Sequence, residues 1–78
     1  MSSELPILSG AEVIRCLEKA GFQKVSQRGS HIKLRRHNSD KVRTVIVPLH
    51  RELALGTLRS ILRQAGVSPE ELRRLLNE

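Results

Sequence analysis

The sequence predicts a two-layer α/β (α+β) domain in the order α-β-β-β-α, with a three-stranded antiparallel sheet and a short additional helix at the C-terminus. Apolar residues recur at helical spacing near residues 10–20 and 56–65. Between them, residues 22–48 follow the two-residue period of β-strands. With 78 residues, 38% of them hydrophobic and 28% charged, residues 1–78 are expected to form one folded domain.

The first helix is predicted over residues 10–20. Ser9 and Glu12 have the spacing of a capping box, in which each side chain bonds to the backbone N–H of the other residue. Gly21 suits the left-handed conformation that ends many helices, and Phe22 can then fold back onto the last turn. The helix therefore has recognisable signals at both of its ends.

Three short strands that form an antiparallel meander are predicted next. They cover residues 22–27, 30–36 and 41–48. Arg28-Gly29 joins the first pair, and a cluster of turn-forming residues at positions 37–40 joins the second pair. Pro48 ends the third strand because proline cannot donate a hydrogen bond to the ladder.

The second strand carries the residues of greatest chemical interest. Its apolar residues, with Ser30 at their margin, share the face that two helices can cover. The opposite face should be open and basic, with three polar side chains in line: His31, Lys33 and Arg35.

Two helices close the chain. The longer one is predicted over residues 56–65 and ends at Gly66. Ser68 and Glu71 then have the spacing of a second capping box, and Pro69 occupies the first helical position, where its missing N–H costs nothing. These signals predict a short third helix.

The positive charge of the chain is concentrated in its centre. The formal net charge is +6, and residues 28–63 hold nine Lys or Arg against two acidic residues, a local charge of +7. Such a field favours a polyanionic partner, most often a nucleic acid. Phe22 is the single aromatic residue, so contacts to phosphates and helical shape are expected rather than base stacking.

Three motifs resemble the HicA (YcfA-like) toxin family. They are Gly29-Ser30-His31 at the start of the second strand, Val47-Pro48-Leu49-His50 at the end of the third, and residues 56–66. The resemblance implies a double-stranded-RNA-binding-like fold and an mRNA interferase, a small stress-response endoribonuclease that cleaves messenger RNA without a metal. It also implies a HicB-like antitoxin that covers the active face, and it assigns the catalytic role to His31.

Imidazole chemistry supports the same assignment. Its reference pKa of about 6.5 lets a histidine exchange protons near neutral pH. We expect His31 to deprotonate a ribose 2′-hydroxyl or to protonate the leaving 5′-oxygen, while nearby cations stabilise the transition state. The residues expected to bind RNA are Arg28, Gly29, Ser30, Lys33 and Arg35.

The other candidate groups are weaker. His50 follows the third strand and is a secondary candidate for proton transfer, although a packing or capping role fits it equally well. His37 is expected in a turn without a role. The spacing of the histidines is not typical of zinc ligands, so neither a metal nor another cofactor is expected. Cys16 is expected to fill the core.

Two other functions compete with the nuclease. The same fold could act as a non-catalytic module that recognises double-stranded RNA by its shape. Residues 58–76 also read as a helix, a turn and a second helix, as in DNA-binding helix-turn-helix proteins. Against the second alternative, the basic excess lies upstream on the strands rather than on the last helix.

The sequence also suggests the cellular location of the protein and its binding partners. One cysteine cannot form an internal disulfide, the N-terminus lacks the features of a signal peptide, and no segment is long enough to span a membrane. A cytoplasmic protein without membrane association is therefore expected. The expected partners are messenger RNA and the antitoxin, with the oligomeric state open between a homodimer and a hetero-oligomer with the antitoxin.

Overall fold

A computed structural model describes residues 5–78 of the chain. Three helices and three strands follow one another in the predicted order, which confirms the α+β fold class and agrees with a double-stranded-RNA-binding-like fold. The elements are α1 (Gly10–Lys19), β1 (Gln23–Arg28), β2 (His31–Asn38), β3 (Lys41–Pro48), α2 (Leu55–Ala65) and α3 (Pro69–Leu76).

Helix α1 has both of its predicted ends. The Ser9 N–H donates to Glu12 Oε1 at 2.8 Å, and the Glu12 N–H donates to Ser9 Oγ at 3.1 Å, which completes the capping box. At the other end, Gly21 has a φ of +98°, and the Phe22 N–H donates to the Leu17 carbonyl at 2.9 Å. Phe22 is thereby turned into the core, where 2% of its surface is exposed.

The sheet is an antiparallel meander in the order β1-β2-β3. Strand β2 runs two residues further than predicted, and His37 pairs with Val42 instead of lying in the turn. Only Ser39 and Asp40 remain in the hairpin loop. Such a two-residue loop requires a positive φ, and Ser39 adopts one of +57°. Ser30 was predicted to open the strand, but it lies in the turn before it.

Helices α1 and α2 cover one face of the sheet, as predicted, and α3 packs against α1, so that all three helices and the sheet share one core. The sheet contributes Ile32, Leu34, Val45 and Val47 to this core. The helices contribute Val13 and Leu17 from α1, Leu58, Ile61, Leu62 and Ala65 from α2, and Leu72 and Leu75 from α3. Among residues 5–78, no helix covers the other face of the sheet.

Two arginines of the basic stretch face the helices rather than the uncovered face. Arg36 and Arg43 are cross-strand partners on β2 and β3. Arg36 Nη1 donates to the Ala20 carbonyl at the end of α1 at 2.9 Å, and its guanidinium lies 4.9 Å from the centroid of Phe22. Arg43 Nη1 donates to the Gln64 carbonyl near the end of α2 at 3.4 Å. Cations are favoured at the C-termini of helices, so these two charges cap helices.

The segment after β3 is tied by backbone hydrogen bonds to two other parts of the chain. The Leu49 N–H donates to the Ser30 carbonyl at 2.6 Å, next to the start of β2. The Gly10 N–H, at the start of α1, donates to the His50 carbonyl at 2.9 Å. The turn before His31, the end of β3 and the first helix are therefore held together.

Helices α2 and α3 also follow the predictions closely. Helix α2 ends at Gly66, which has a φ of +70°. Pro69 is the first residue of α3, and Ser68 Oγ accepts a hydrogen bond from the Glu71 N–H at 3.1 Å. This is the serine half of the predicted capping box, while the Glu71 carboxylate lies 3.8 Å from Arg74. Within residues 5–78, no helix has the length and apolar character needed to cross a membrane.

Candidate active site

The face of the sheet that points away from the helices is called the open face below. Directly paired residues of neighbouring strands share a face, so the register defines its members. None of the nine residues at its centre is acidic. They are Gln23, Ser26 and Arg28 on β1, His31, Lys33 and Arg35 on β2, and Thr44, Ile46 and Pro48 on β3.

His31 is the first residue of β2 and lies between Arg28 of β1 and Pro48 of β3. Its side chain is exposed on the open face, as the alternation of β2 predicts. Together with Ser26, Arg28, Lys33 and Ile46 it lines a shallow depression. The structure therefore brings three of the predicted site residues together: His31, Arg28 and Lys33.

This depression places an imidazole beside two cations, a combination that suits an anionic ligand and the transfer of a proton. An imidazole can accept or donate a proton near neutral pH. Arg28 and Lys33 supply positive charge on two sides of it, and none of the nine central residues of the open face carries a carboxylate that would compete for that charge. Cations placed where negative charge develops stabilise a transition state electrostatically.

Gly29 and Ser30 form the turn that immediately precedes His31, the first residue of β2. Gly29 has a φ of +58°, a conformation that glycine adopts at little cost, and its carbonyl accepts a hydrogen bond from Gln27 Nε2 at 3.0 Å. Ser30 is exposed, and its carbonyl anchors the Leu49 N–H. Both residues are sequence neighbours of His31, although neither lines the depression.

Arg35 shares the open face with Lys33 but lies farther from His31. It is half-buried between Gln23 and Thr44, and its Nε donates to Thr44 Oγ1 at 3.4 Å. At about 3.3 Å per residue, four residues of strand separate it from His31 by about 13 Å. Arg35 therefore belongs to the same face but not to the depression.

Sequence reasoning missed two residues of the depression, Ser26 and Ile46. Both are direct cross-strand neighbours of Lys33. The position of Ser26 depends on a bulge at Val25, where the register of β1 against β2 shifts by one residue. The strand pattern of β3 could have placed Ile46 on the open face, because it alternates with the buried Val45 and Val47.

The other two histidines lie outside the depression. His37 is on the open face, but six residues of strand place it about 20 Å from His31. His50 is exposed in the segment after β3, and its imidazole is not among the side chains that line the depression. His50 instead contributes its carbonyl oxygen, which accepts the hydrogen bond from Gly10.

Cys16 lies in the core, with 2% of its surface exposed. Burial raises the pKa of its thiol, an effect that the charges of Lys19 and Arg15 only partly oppose. A protonated thiol is a poor nucleophile, which agrees with a packing role. Across residues 5–78, no three His, Cys, Asp or Glu side chains come together as a group that could hold a metal ion.

Comparison with protein families gives a match over most of the chain. A family model described as the HicA toxin of bacterial toxin–antitoxin systems matches residues 10–67 of the 78-residue chain. The matched region contains α1, the whole sheet and α2, and therefore every residue of the depression. No curated protein sequence matches the chain.

Proposed function

The chain belongs to the HicA toxin family of bacterial toxin–antitoxin systems, and we propose that it is an endoribonuclease that cleaves messenger RNA with His31 as its proton-transferring residue. One observation carries this proposal: His31 lies in a depression that also contains Arg28 and Lys33, on a face whose centre has no acidic residue. This arrangement suits an anionic substrate whose cleavage requires the movement of protons.

The proposed reaction is a transesterification within the RNA. The ribose 2′-hydroxyl loses its proton, its oxygen attacks the adjacent phosphorus, and the bond from phosphorus to the 5′-oxygen breaks. The 5′-oxygen takes up a proton, so the products are a 2′,3′-cyclic phosphate and a 5′-hydroxyl. His31 either accepts the first proton or donates the second one, and another group or a water molecule handles the remaining transfer.

The surrounding residues would bind and polarise the phosphate. Negative charge grows on the non-bridging oxygens as the 2′-oxygen attacks, and Arg28 and Lys33, which line the depression with His31, would stabilise it. The Ser30 hydroxyl, exposed beside His31, can donate to a neighbouring phosphate. Gly29 would act through the turn that it permits, and Arg35 would add positive charge to the RNA-binding face outside the depression.

The protein is expected to act together with a second protein. Membership of the family implies an antitoxin partner. We propose that this partner is HicB-like and covers the open face, that the reaction needs no metal, and that the protein works in the cytoplasm, where messenger RNA is found. The partnership would give a hetero-oligomer, and a homodimer of the free toxin is the alternative assembly.

Cleavage of a long RNA in EDTA tests the catalytic role of His31. The purified wild type should cleave, whereas a His31→Ala variant should bind RNA but cleave at least about 100-fold more slowly, the range that general acid–base catalysis supplies. His37→Ala is the matched control, because it removes an imidazole from the same face about 20 Å away. It should cleave like the wild type, and circular dichroism should show that both variants fold.

The outcomes separate the nuclease from its rivals. If the wild type and both variants bind RNA and none cleaves it, the protein is a non-catalytic RNA-binding module. If His31→Ala cleaves as fast as His37→Ala, the assignment of His31 is wrong. The helix-turn-helix alternative has less support, because the two Glu and two Arg of α3 balance and Glu71 lies 3.8 Å from Arg74.

A further inference from the structure

The side chains of β2 on the open face form a row with a regular spacing. Alternate residues of a strand are about 6.7 Å apart, and His31, Lys33 and Arg35 occupy three consecutive positions of this kind. Successive phosphates of an extended RNA strand are a similar distance apart. The row can therefore follow a single RNA backbone, with His31 and Lys33 at the cleaved phosphate and Arg35 beside a phosphate farther along.

Arg35 is the member of this row that the proposed chemistry does not use. Its Nε donates to Thr44 Oγ1 at 3.4 Å, which orients the guanidinium across β3. Within the described part of the chain, its two Nη groups have no hydrogen-bond or ion-pair partner. Its neighbour Arg36 points to the opposite face, where it caps α1, and so cannot bind a ligand on the open face. Arg35 is therefore the cation that can bind a ligand at this end of the row.

We propose that one RNA strand runs along β2 and that Arg35, held by Thr44, binds a phosphate about two positions away from the one that is cleaved. This inference rests on the proposed function, because the cleaved phosphate is placed at His31. Arg35 would be a positioning residue: it lies about 13 Å from His31 and cannot touch the reacting atoms. Such a contact is equally strong in the ground state and the transition state, so it lowers KM without changing kcat.

The test compares variants on an oligoribonucleotide that carries a cleavage site mapped with the wild type, with kinetics measured in EDTA at several salt concentrations. Arg35→Ala should raise KM about five- to tenfold and leave kcat unchanged. The slope of log(kcat/KM) against log[salt] should become less steep by about 0.7, the contribution of one phosphate contact to a single strand. Thr44→Val keeps the charge of Arg35 but removes its hydrogen bond, so it should raise KM by a smaller factor.

Arg59→Ala is the matched control, because it removes an equal charge from an exposed position on α2, in the helix layer. It should leave KM, kcat and the salt slope unchanged. The proposed path along β2 is wrong if Arg35→Ala alters KM and the slope no more than Arg59→Ala does. It is also wrong if Arg35→Ala lowers kcat and leaves KM unchanged.

A second readout separates this inference from the proposed function. Binding of a 2′-O-methyl RNA, which cannot be cleaved by attack of the 2′-oxygen, is measured for the same variants. If the wild type fails to cleave any RNA, the nuclease proposal fails. The path along β2 then stands only if Arg35→Ala lowers the salt slope of binding and Arg59→Ala does not.

Discussion

Gly10 is the position at which a single added methyl group should disturb the fold most directly. A Cβ on Gly10 would fall well inside contact distance of the Pro48 carbonyl oxygen, and it would lie 3.0 Å from the Pro48 carbonyl carbon and 3.1 Å from Leu49 Cα. All three are backbone atoms, so no side chain can rotate to make room. In Gly10→Ala, the start of α1 must move away from the end of β3.

The cost follows from three contributions. Overpacking a tightly packed site costs about 1–3 kcal/mol. Separation of α1 from β3 weakens the hydrogen bond from the Gly10 N–H to the His50 carbonyl, which is worth about 1 kcal/mol. Alanine favours the helix over glycine by up to about 1 kcal/mol, which offsets part of this. We expect the free energy of unfolding to fall by about 2 kcal/mol, which lowers Tm by roughly 10 °C in a domain of this size.

Urea unfolding measures this change, and Gly56→Ala provides the matched control. Gly56 is the second residue of α2, and a Cβ there would meet no atom within 4 Å. The control should be more stable than the wild type by about 0.5 kcal/mol, because alanine is the better helix former. The reasoning is refuted if Gly10→Ala is as stable as the wild type or gains stability as Gly56→Ala does.

Two further predictions concern the caps of α1. Hydrogen bonds to Ser9, first that of its backbone N–H and second that of its hydroxyl, hold the pKa of Glu12 below its ordinary value of 4.5. The stability that this carboxylate contributes is therefore present above pH 4.5 and is lost as the pH falls through the pKa of Glu12 in the folded protein. The urea midpoints measured at about pH 7 and about pH 3 should therefore differ less for Glu12→Gln than for the wild type. Glu18→Gln, on the same helix, is the control and should show the same difference as the wild type. If the midpoint difference is equal in the two variants, the capping role of Glu12 is contradicted. Arg36→Ala removes the hydrogen bond to Ala20 and the contact with Phe22 and should cost about 1–2 kcal/mol. Arg35→Ala on the open face should cost less than about 0.5 kcal/mol, and an equal loss for both arginines would count against the helix-capping role.

The sequence by itself determined the order of the elements and most of their ends. Helix periodicity, the capping box at Ser9 and the left-handed glycines at positions 21 and 66 involve residues only a few positions apart. Their interactions form within the element itself, so they can be read without knowledge of the fold. The same local alternation placed His31 and Lys33 on one face of β2.

Only the tertiary structure decided which residues surround His31. Ser26 reaches the depression because the bulge at Val25 shifts β1 by one residue, and a shift of that kind changes which side chains share a face. Arg36 and Arg43 count toward the central charge in the sequence, yet both point to the helices and cap them. Register, bulges and helix packing depend on contacts between distant parts of the chain, and the local pattern of side chains does not encode them.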